Sequence, residues 1–339
     1  MKLAEGPVTN FPVMMKFTLL LCAAMLLSAC FGEVPHENPL DPGSALFVKT
    51  GVVRGQVTTY YQPFLAISGV AIELAPQNLS TVTDGDGSFS FRDVPVGDYW
   101  VFARDPRYVP DSVRIAVQQE EPQRLMFKLD ALPQIHSFSG QTFHLNNLPP
   151  EEDIFYAQFE TQVSDPDGLA DIASVMIEVP AFGLQDTMQA TSSAGVYEFR
   201  LFGSELPHGK LHAAIGYPIR IKVRDRLDHM PTPKELILFR IIDSSPQTAA
   251  PRDLQTTNAR PQLRWQKMNL PFPFTYRARV TRVIGGINTL AWESPNISEQ
   301  DTTFTVDRTL ASGEYRWSVS VIDEFGNTSA SQPAAFRVE

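Results

Sequence analysis

Thr83-Asp84-Gly85-Asp86-Gly87-Ser88-Phe89-Ser90-Phe91 is a tight turn running into a strand. Its two glycines supply the positive φ that a hairpin turn needs. Phe89 and Phe91 then alternate with serines, the period of a sheet that buries one face. Upstream, Val70, Ile72 and Leu74 alternate in the same way. Downstream come Tyr99, Val101 and Ala103, then Val113, Ile115 and Val117, then Leu125, Phe127 and Leu129. Sustained period-3.6 spacing is almost absent. Prolines, 27 of 339 residues, fall largely between the alternating runs, where they punctuate strands. The pattern predicts an all-β chain.

The alternation continues in two further blocks. The second holds Phe155, Ala157, Phe159, Thr161 and Val163, then Val175, Ile177 and Val179, then Tyr197, Phe199 and Leu201, then Ile219, Ile221 and Val223. The third holds Leu263 and Trp265, then Tyr276, Ala278 and Val280, then Tyr315, Trp317, Val319 and Val321, and closes on Phe336 and Val338. The expected architecture is three β-sandwich domains in series, over 51–131, 132–243 and 244–339.

Within the first block, Gly55-Gln56-Val57, Gly69-Val70-Ala71-Ile72, the Thr83 to Phe91 stretch and Val94-Pro95-Val96-Gly97-Asp98-Tyr99 follow one another in order. Together they resemble a carboxypeptidase regulatory-like domain, a small transthyretin-like sandwich. The resemblance implies a structural role for the glycine-rich turn and the Pro-x-Gly-x-Tyr step, in an accessory module that is not itself a peptidase. Val163-Ser164-Asp165-Pro166-Asp167-Gly168-Leu169 resembles the strand-end loop of bacterial immunoglobulin-like domains. Asp225-Arg226-Leu227-Asp228-His229 sits where such domains often carry an Asp-x-x-Gly-Asn turn, and it lacks the glycine. Residues 244–339 resemble a fibronectin type III domain. Tyr315 is then expected as its tyrosine-corner residue and Asp323-Glu324-Phe325-Gly326-Asn327 as its last hairpin turn.

Ahead of the first strand, Leu27-Ser28-Ala29-Cys30 closes an apolar run that begins at Phe17. The run has the length of a signal-peptide core and falls short of the roughly 20 residues a spanning helix needs. Lys16 supplies positive charge before it, and Ser28 and Ala29 are small. The segment resembles a bacterial lipobox. The resemblance implies a signal peptide over 1–29, a covalent lipid on Cys30, and a proline-rich tether over 30–50. The competing reading is an ordinary secretory signal with a coincidental cysteine. Glu5 and Pro12 suit a signal peptide poorly, so Met14 or Met15 is expected as the true start. Only 2 cysteines are present, and Cys22 would leave with the signal, so stability outside the cytoplasm must come from packing without disulfides. Phe31 rather than Asp follows Cys30, which for such lipoproteins implies sorting to the outer membrane, facing the periplasm or the cell surface.

The formal net charge is −10. Lys2, Lys16 and Glu5 lie within 1–29, so 26 basic and 37 acidic residues remain beyond it, a balance of −11. That balance argues against nucleic acid and against an anionic membrane surface as partners; the membrane contact expected is the lipid. No His-Glu-x-x-His, Gly-x-Ser-x-Gly, phosphate loop or dinucleotide fingerprint occurs, so no catalytic residue is assigned and no enzyme is expected. The best site candidate is Asp165, Asp167 and Asp171. Hard oxygen ligands at this spacing can hold Ca²⁺, particularly at a junction between sandwiches. The alternative is a solvated turn whose aspartates cap backbone amides. Asp84 and Asp86 lie in a loop too tight to wrap an ion. Trp265 and Trp317 are expected in the core, with Trp100 and Trp292 exposed and able to contact a sugar. The expected function is a membrane-anchored exported lipoprotein presenting noncatalytic domains for binding, adhesion or envelope assembly, with a protein or glycan partner. The alternatives are an accessory of an outer-membrane uptake system and a noncatalytic subunit of an exported hydrolase.

Overall fold

A computed structural model describes residues 38, 41, 43, 44 and 46–339 apart from 120 and 148. Segment 1–29, with Leu27, Ser28, Ala29 and the start sites, lies outside the described residues, as do Cys30 and most of the tether. Among the described residues the chain is all-β, with five short 3-10 turns, and no helix is long and apolar enough to cross a membrane.

Three separate cores organise the strands. In the first, a sheet of Ser88–Pro95, Thr50–Thr59 and Gln123–Leu129 faces a sheet of Leu79–Val82, Ala71–Ala75, Gly97–Arg104 and Asp111–Val117. Val53, Val57, Ile72, Leu74, Phe89 and Phe127 fill the space between them. Burial alternates along Ser88–Pro95 and Gly97–Arg104, as the period-two spacing requires. Each fully buried aliphatic or aromatic side chain contributes about 1.5–3 kcal/mol of transfer free energy.

The Asp84–Gly87 turn departs from the expected hairpin: Leu79–Val82 before it and Ser88–Pro95 after it belong to the two facing sheets, so it carries the chain across the sandwich, and of its two glycines only Gly87 takes positive φ. Asp84 Oδ1 accepts the amides of Ser88 at 2.8 Å and Asp86 at 3.3 Å. Gly87 adopts φ 76°, and a Cβ there would lie 2.5 Å from the Val57 carbonyl oxygen. Gly85 has open space around it. A few residues on, the Tyr99 hydroxyl donates to the Pro95 carbonyl at 2.9 Å, which pins the Pro-x-Gly-x-Tyr step.

The second sandwich packs Gln189–Ala190, Val196–Phe202, Ile154–Ser164 and Gln134–Leu145 against Leu184–Thr187, Ile172–Val179, Pro218–Asp225 and Lys234–Ile237. Phe159, Val175, Ile177, Leu201 and Ile219 lie in its core. The third is built on Trp265, Tyr276, Tyr315, Trp317 and Phe336. Its Tyr315 hydroxyl donates to the Ala311 carbonyl at 2.7 Å, the geometry of a tyrosine corner. Trp100 is 48% exposed. Trp292 departs from expectation: it is 7% exposed, tilted against Phe304, and its Nε1 donates to Asp307 at 2.7 Å. The facing sheet covers a strand that its sequence alone makes look like a bare edge.

The last two sandwiches share a sheet. Thr328–Ala330 of the third runs parallel to Gln134–Leu145 of the second, pairing Thr328 with Phe143 and Ala330 with Leu145. Backbone ladders therefore continue across the domain boundary.

Replacing Gly87 by Ala should lower the melting temperature of the first sandwich, at a cost of about 1–3 kcal/mol from strain and the carbonyl clash. Gly85→Ala should leave it within about 0.5 kcal/mol of wild type. Thermal unfolding of the two variants checks the contrast.

Candidate functional site

Two hairpin turns, one in each of the last two sandwiches, are built alike. Asp225 Oδ1 accepts the amides of Leu227 and His229, each at 2.8 Å. Asp323 Oδ1 accepts the amides of Phe325 and Asn327, each at 2.9 Å. In both turns the first residue's amide donates to the fifth residue's carbonyl at 3.1 Å. One carboxylate oxygen thus satisfies both inward amides. Gly326 takes φ 86° in the second turn, and Asp228 takes φ 67° at the same place in the first. Asp is among the few residue types other than glycine that enter this region readily, which explains how the turn forms without one. In each case the fifth residue reaches into the preceding domain.

At the second junction that residue is Asn327. Its Oδ1 accepts the Thr142 amide at 2.9 Å and the Thr142 hydroxyl at 3.0 Å, while its Nδ2 donates to Asp323 Oδ2 at 3.0 Å. Arg240 Nη1 donates to Asp323 Oδ2 at 2.8 Å and to Glu324 at 3.1 Å, and its guanidinium lies 4.0 Å from the Phe272 ring centroid. Ser329, His144 and Asp153 form a row. Asp153 can only accept, so His144 Nε2 donates to it at 3.0 Å, while His144 Nδ1 lies 3.0 Å from Ser329 Oγ and 3.3 Å from the Ile242 carbonyl oxygen. The residue types match a hydrolytic triad, yet Ser329 is 0% exposed. The row offers no nucleophile to solvent, and it ties the shared sheet together.

At the first junction the fifth residue is His229, whose Nδ1 stands 2.9 Å from Asp130 Oδ2 at the end of the last strand of the first sandwich. Here carboxylates converge. Asp167 Oδ2 accepts the Ala131 amide at 2.9 Å, and Asp171 Oδ1 accepts the Tyr61 hydroxyl at 2.8 Å, so both reach across to the first domain. Asp165 stays within its loop, where Oδ1 accepts the Asp167 amide at 2.8 Å. Asp130, Asp165, Asp171 and Asp225 are all buried, at 4%, 8%, 5% and 0% exposure, so Asp165 caps its amide from a buried position while Pro166 and Leu169 of the loop stay exposed. One oxygen on each of these four has no hydrogen-bond partner. Asp130, Asp167 and Asp171 each place a carboxylate oxygen within 4.8 Å of the others, and Asp130 also meets Asp225 and His229 within that distance.

The electrostatics follow from this crowding. Burial pushes the Asp130 carboxyl up to about 6, the charges of Asp225 and Asp171 add to the rise, and the His229 hydrogen bond opposes it. Burial likewise lifts Asp165 to about 6, opposed by the Asp167 amide and reinforced by Asp171, Asp167 and Asp130. Burial and the bond to Asp171 raise the Tyr61 phenol.

Of the three aspartates singled out in the sequence, Asp167 and Asp171 meet Asp130 directly, and Asp165 sits beside them. Asp130, Asp225, His229 and Tyr61 were missed, because they come together only when the two domains pack. The available signal was the recurrence of Asp-x-x-x-His and Asp-x-x-x-Asn at the last hairpin of consecutive domains.

A groove of about 860 Å³ also opens on the second sandwich. Ile154, Phe155, Phe202 and Leu211 give it an apolar floor, with Glu152 and Lys210 at its rim.

Residues 52–130 match the family model of the carboxypeptidase regulatory-like domain, which covers the first sandwich. No curated protein matches the chain significantly. Similar solved structures include BcpA, the major pilin subunit of Bacillus cereus, at 10% identity and TM-score 0.30, over 86% of this chain and 96% of that one. The FN1–FN3 domains of chicken CNTN1 are similar at 8% identity and TM-score 0.32, over 86% and 96%. The full-length major pilin SpaD of Corynebacterium diphtheriae is similar at 8% identity and TM-score 0.29, over 85% and 97%.

Asn327→Ala should strand the buried Thr142 amide and cost about 1–3 kcal/mol. Chemical unfolding should show the loss, and limited proteolysis should show faster cleavage near 240–250 as the second junction loosens.

Proposed function

We propose that this chain is an exported lipoprotein whose lipid on Cys30 holds a stiff, noncatalytic arm of three β-sandwiches at the outer membrane. The observation that carries this reading is the burial of both domain junctions. Ladder pairing at one and hydrogen-bonded carboxylates at the other take the place of flexible linkers. An arm of this kind transmits position rather than chemistry.

The arm serves to present a binding surface to a protein or glycan partner. The groove on the second sandwich, with its apolar floor and charged rim, has the make-up of a recognition site. Its place on the second sandwich sets the first sandwich and the tether between a partner and the lipid headgroups.

Cys30→Ser should move the protein from the membrane fraction to the soluble fraction without lowering its melting temperature. Retention at the membrane would sink the anchor. Crosslinking and pull-down from intact cells should recover an envelope protein or glycan. Recovery of an outer-membrane transporter would assign the arm to uptake, and recovery of an exported hydrolase would make it an enzyme subunit.

A further inference from the structure

We propose that the junction of the first two sandwiches binds one Ca²⁺ between Asp130, Asp167 and Asp171, joining the end of the first domain to the loop of the second. Calcium accepts oxygen ligands at about 2.3–2.6 Å, so two ligands of one ion stand at most about 5 Å apart. The three carboxylates already meet that condition, with oxygens within 4.8 Å of one another.

One oxygen of each carboxylate is held by a neighbour. His229 contacts Asp130, the Ala131 amide contacts Asp167, and the Tyr61 hydroxyl contacts Asp171. These bonds orient each carboxylate, as outer partners do in metal sites. Asp130 Oδ1 and Asp171 Oδ2 are left buried and unpartnered, and so is Asp165 Oδ2 beside them. A buried carboxylate with nothing to pair its charge is costly. Among the described residues, His229 is the only basic side chain that pairs with any of the five aspartates, and it touches Asp130 and Asp225. One imidazole leaves most of that charge unopposed, and a divalent cation would offset two of the charges.

The donor set favours calcium. It is all oxygen and rich in carboxylates, which suits a hard cation. It is drawn from two domains, which tolerates the irregular geometry calcium accepts and magnesium does not. The other grouping, Asp130 with Asp225 and His229, includes an imidazole nitrogen, a donor that suits zinc better than calcium. The ion would add a bond between domains that the hydrogen bonds alone do not supply, and the arm would stiffen where calcium is abundant, outside the cytoplasm. The inference does not depend on the lipid anchor.

The test uses the full-length protein in detergent, stripped with chelator and titrated with CaCl₂ by calorimetry and thermal melting. Binding of one ion per chain and a rise of several degrees in melting temperature are expected, with a much smaller rise for MgCl₂. Asp171→Asn keeps the acceptor for Tyr61 and removes one charge. It should weaken binding by roughly tenfold or more, and in chelator it should melt no lower than wild type, because a repulsive charge has gone. Absence of heat and of any melting shift in wild type would overturn the proposal. So would a calcium response unchanged in Asp171→Asn. A response to Zn²⁺ alone, lost in His229→Gln and kept in Asp171→Asn, would also overturn it by moving the ion to the other side of Asp130.

Discussion

A carboxylate oxygen accepting two backbone amides is the interaction on which the interdomain structure depends. Asp225 and Asp323 each close a five-residue turn in this way. The closed turn projects its fifth residue into the domain before it, as His229 toward Asp130 and Asn327 toward Thr142. Because the aspartate satisfies the turn's own amides, the fifth side chain is left available for the neighbour. Without that, the projecting residue would be spent on its own loop.

The two junctions then diverge in how they handle charge. At the second, Asp323 is met by Arg240, a cation stacked on Phe272, and the remaining polar groups are paired. The result is a joint in which one cation serves both Asp323 and Glu324, reinforced by a shared sheet. At the first, five aspartates gather near one histidine that pairs with two of them, and four carboxylate oxygens have no hydrogen-bond partner. The same turn geometry therefore supports one joint closed by protein groups alone and one whose charge balance calls for a partner. This asymmetry makes the first junction the place where an outside condition can alter the arm.

Much of the fold was legible because its signals are local. Gly87 takes positive φ beside a carbonyl, and the glycine-rich stretch announces a tight turn, though that turn crosses between sheets instead of closing a hairpin. Tyr315 stands near the start of the strand Gly313–Asp323, where a corner needs it, and its hydroxyl finds the Ala311 carbonyl. The loop aspartates were also visible, since 165, 167 and 171 lie close in sequence. What escaped depends on residues far apart. Asp130 and His229 are 99 positions apart, and Thr142 and Asn327 are 185 apart. Trp292 looked exposed because its own strand reads as an edge, while Phe304 and Asp307 cover it from a later segment. Period-two spacing states which face is buried within a sheet; it does not state what the sheet is buried against.

The claim that both joints are fixed can be tested by measuring the distance between the first and third sandwiches. Met126 and Ile287 are exposed, at 66% and 71%, and lie on strands of these domains. In a chain with Cys22 and Cys30 replaced by serine, spin labels at Met126→Cys and Ile287→Cys report that distance by electron double resonance. In calcium, a single narrow distribution is predicted. A broad or multimodal distribution in calcium would contradict the account, because it would mean that at least one junction opens freely in solution.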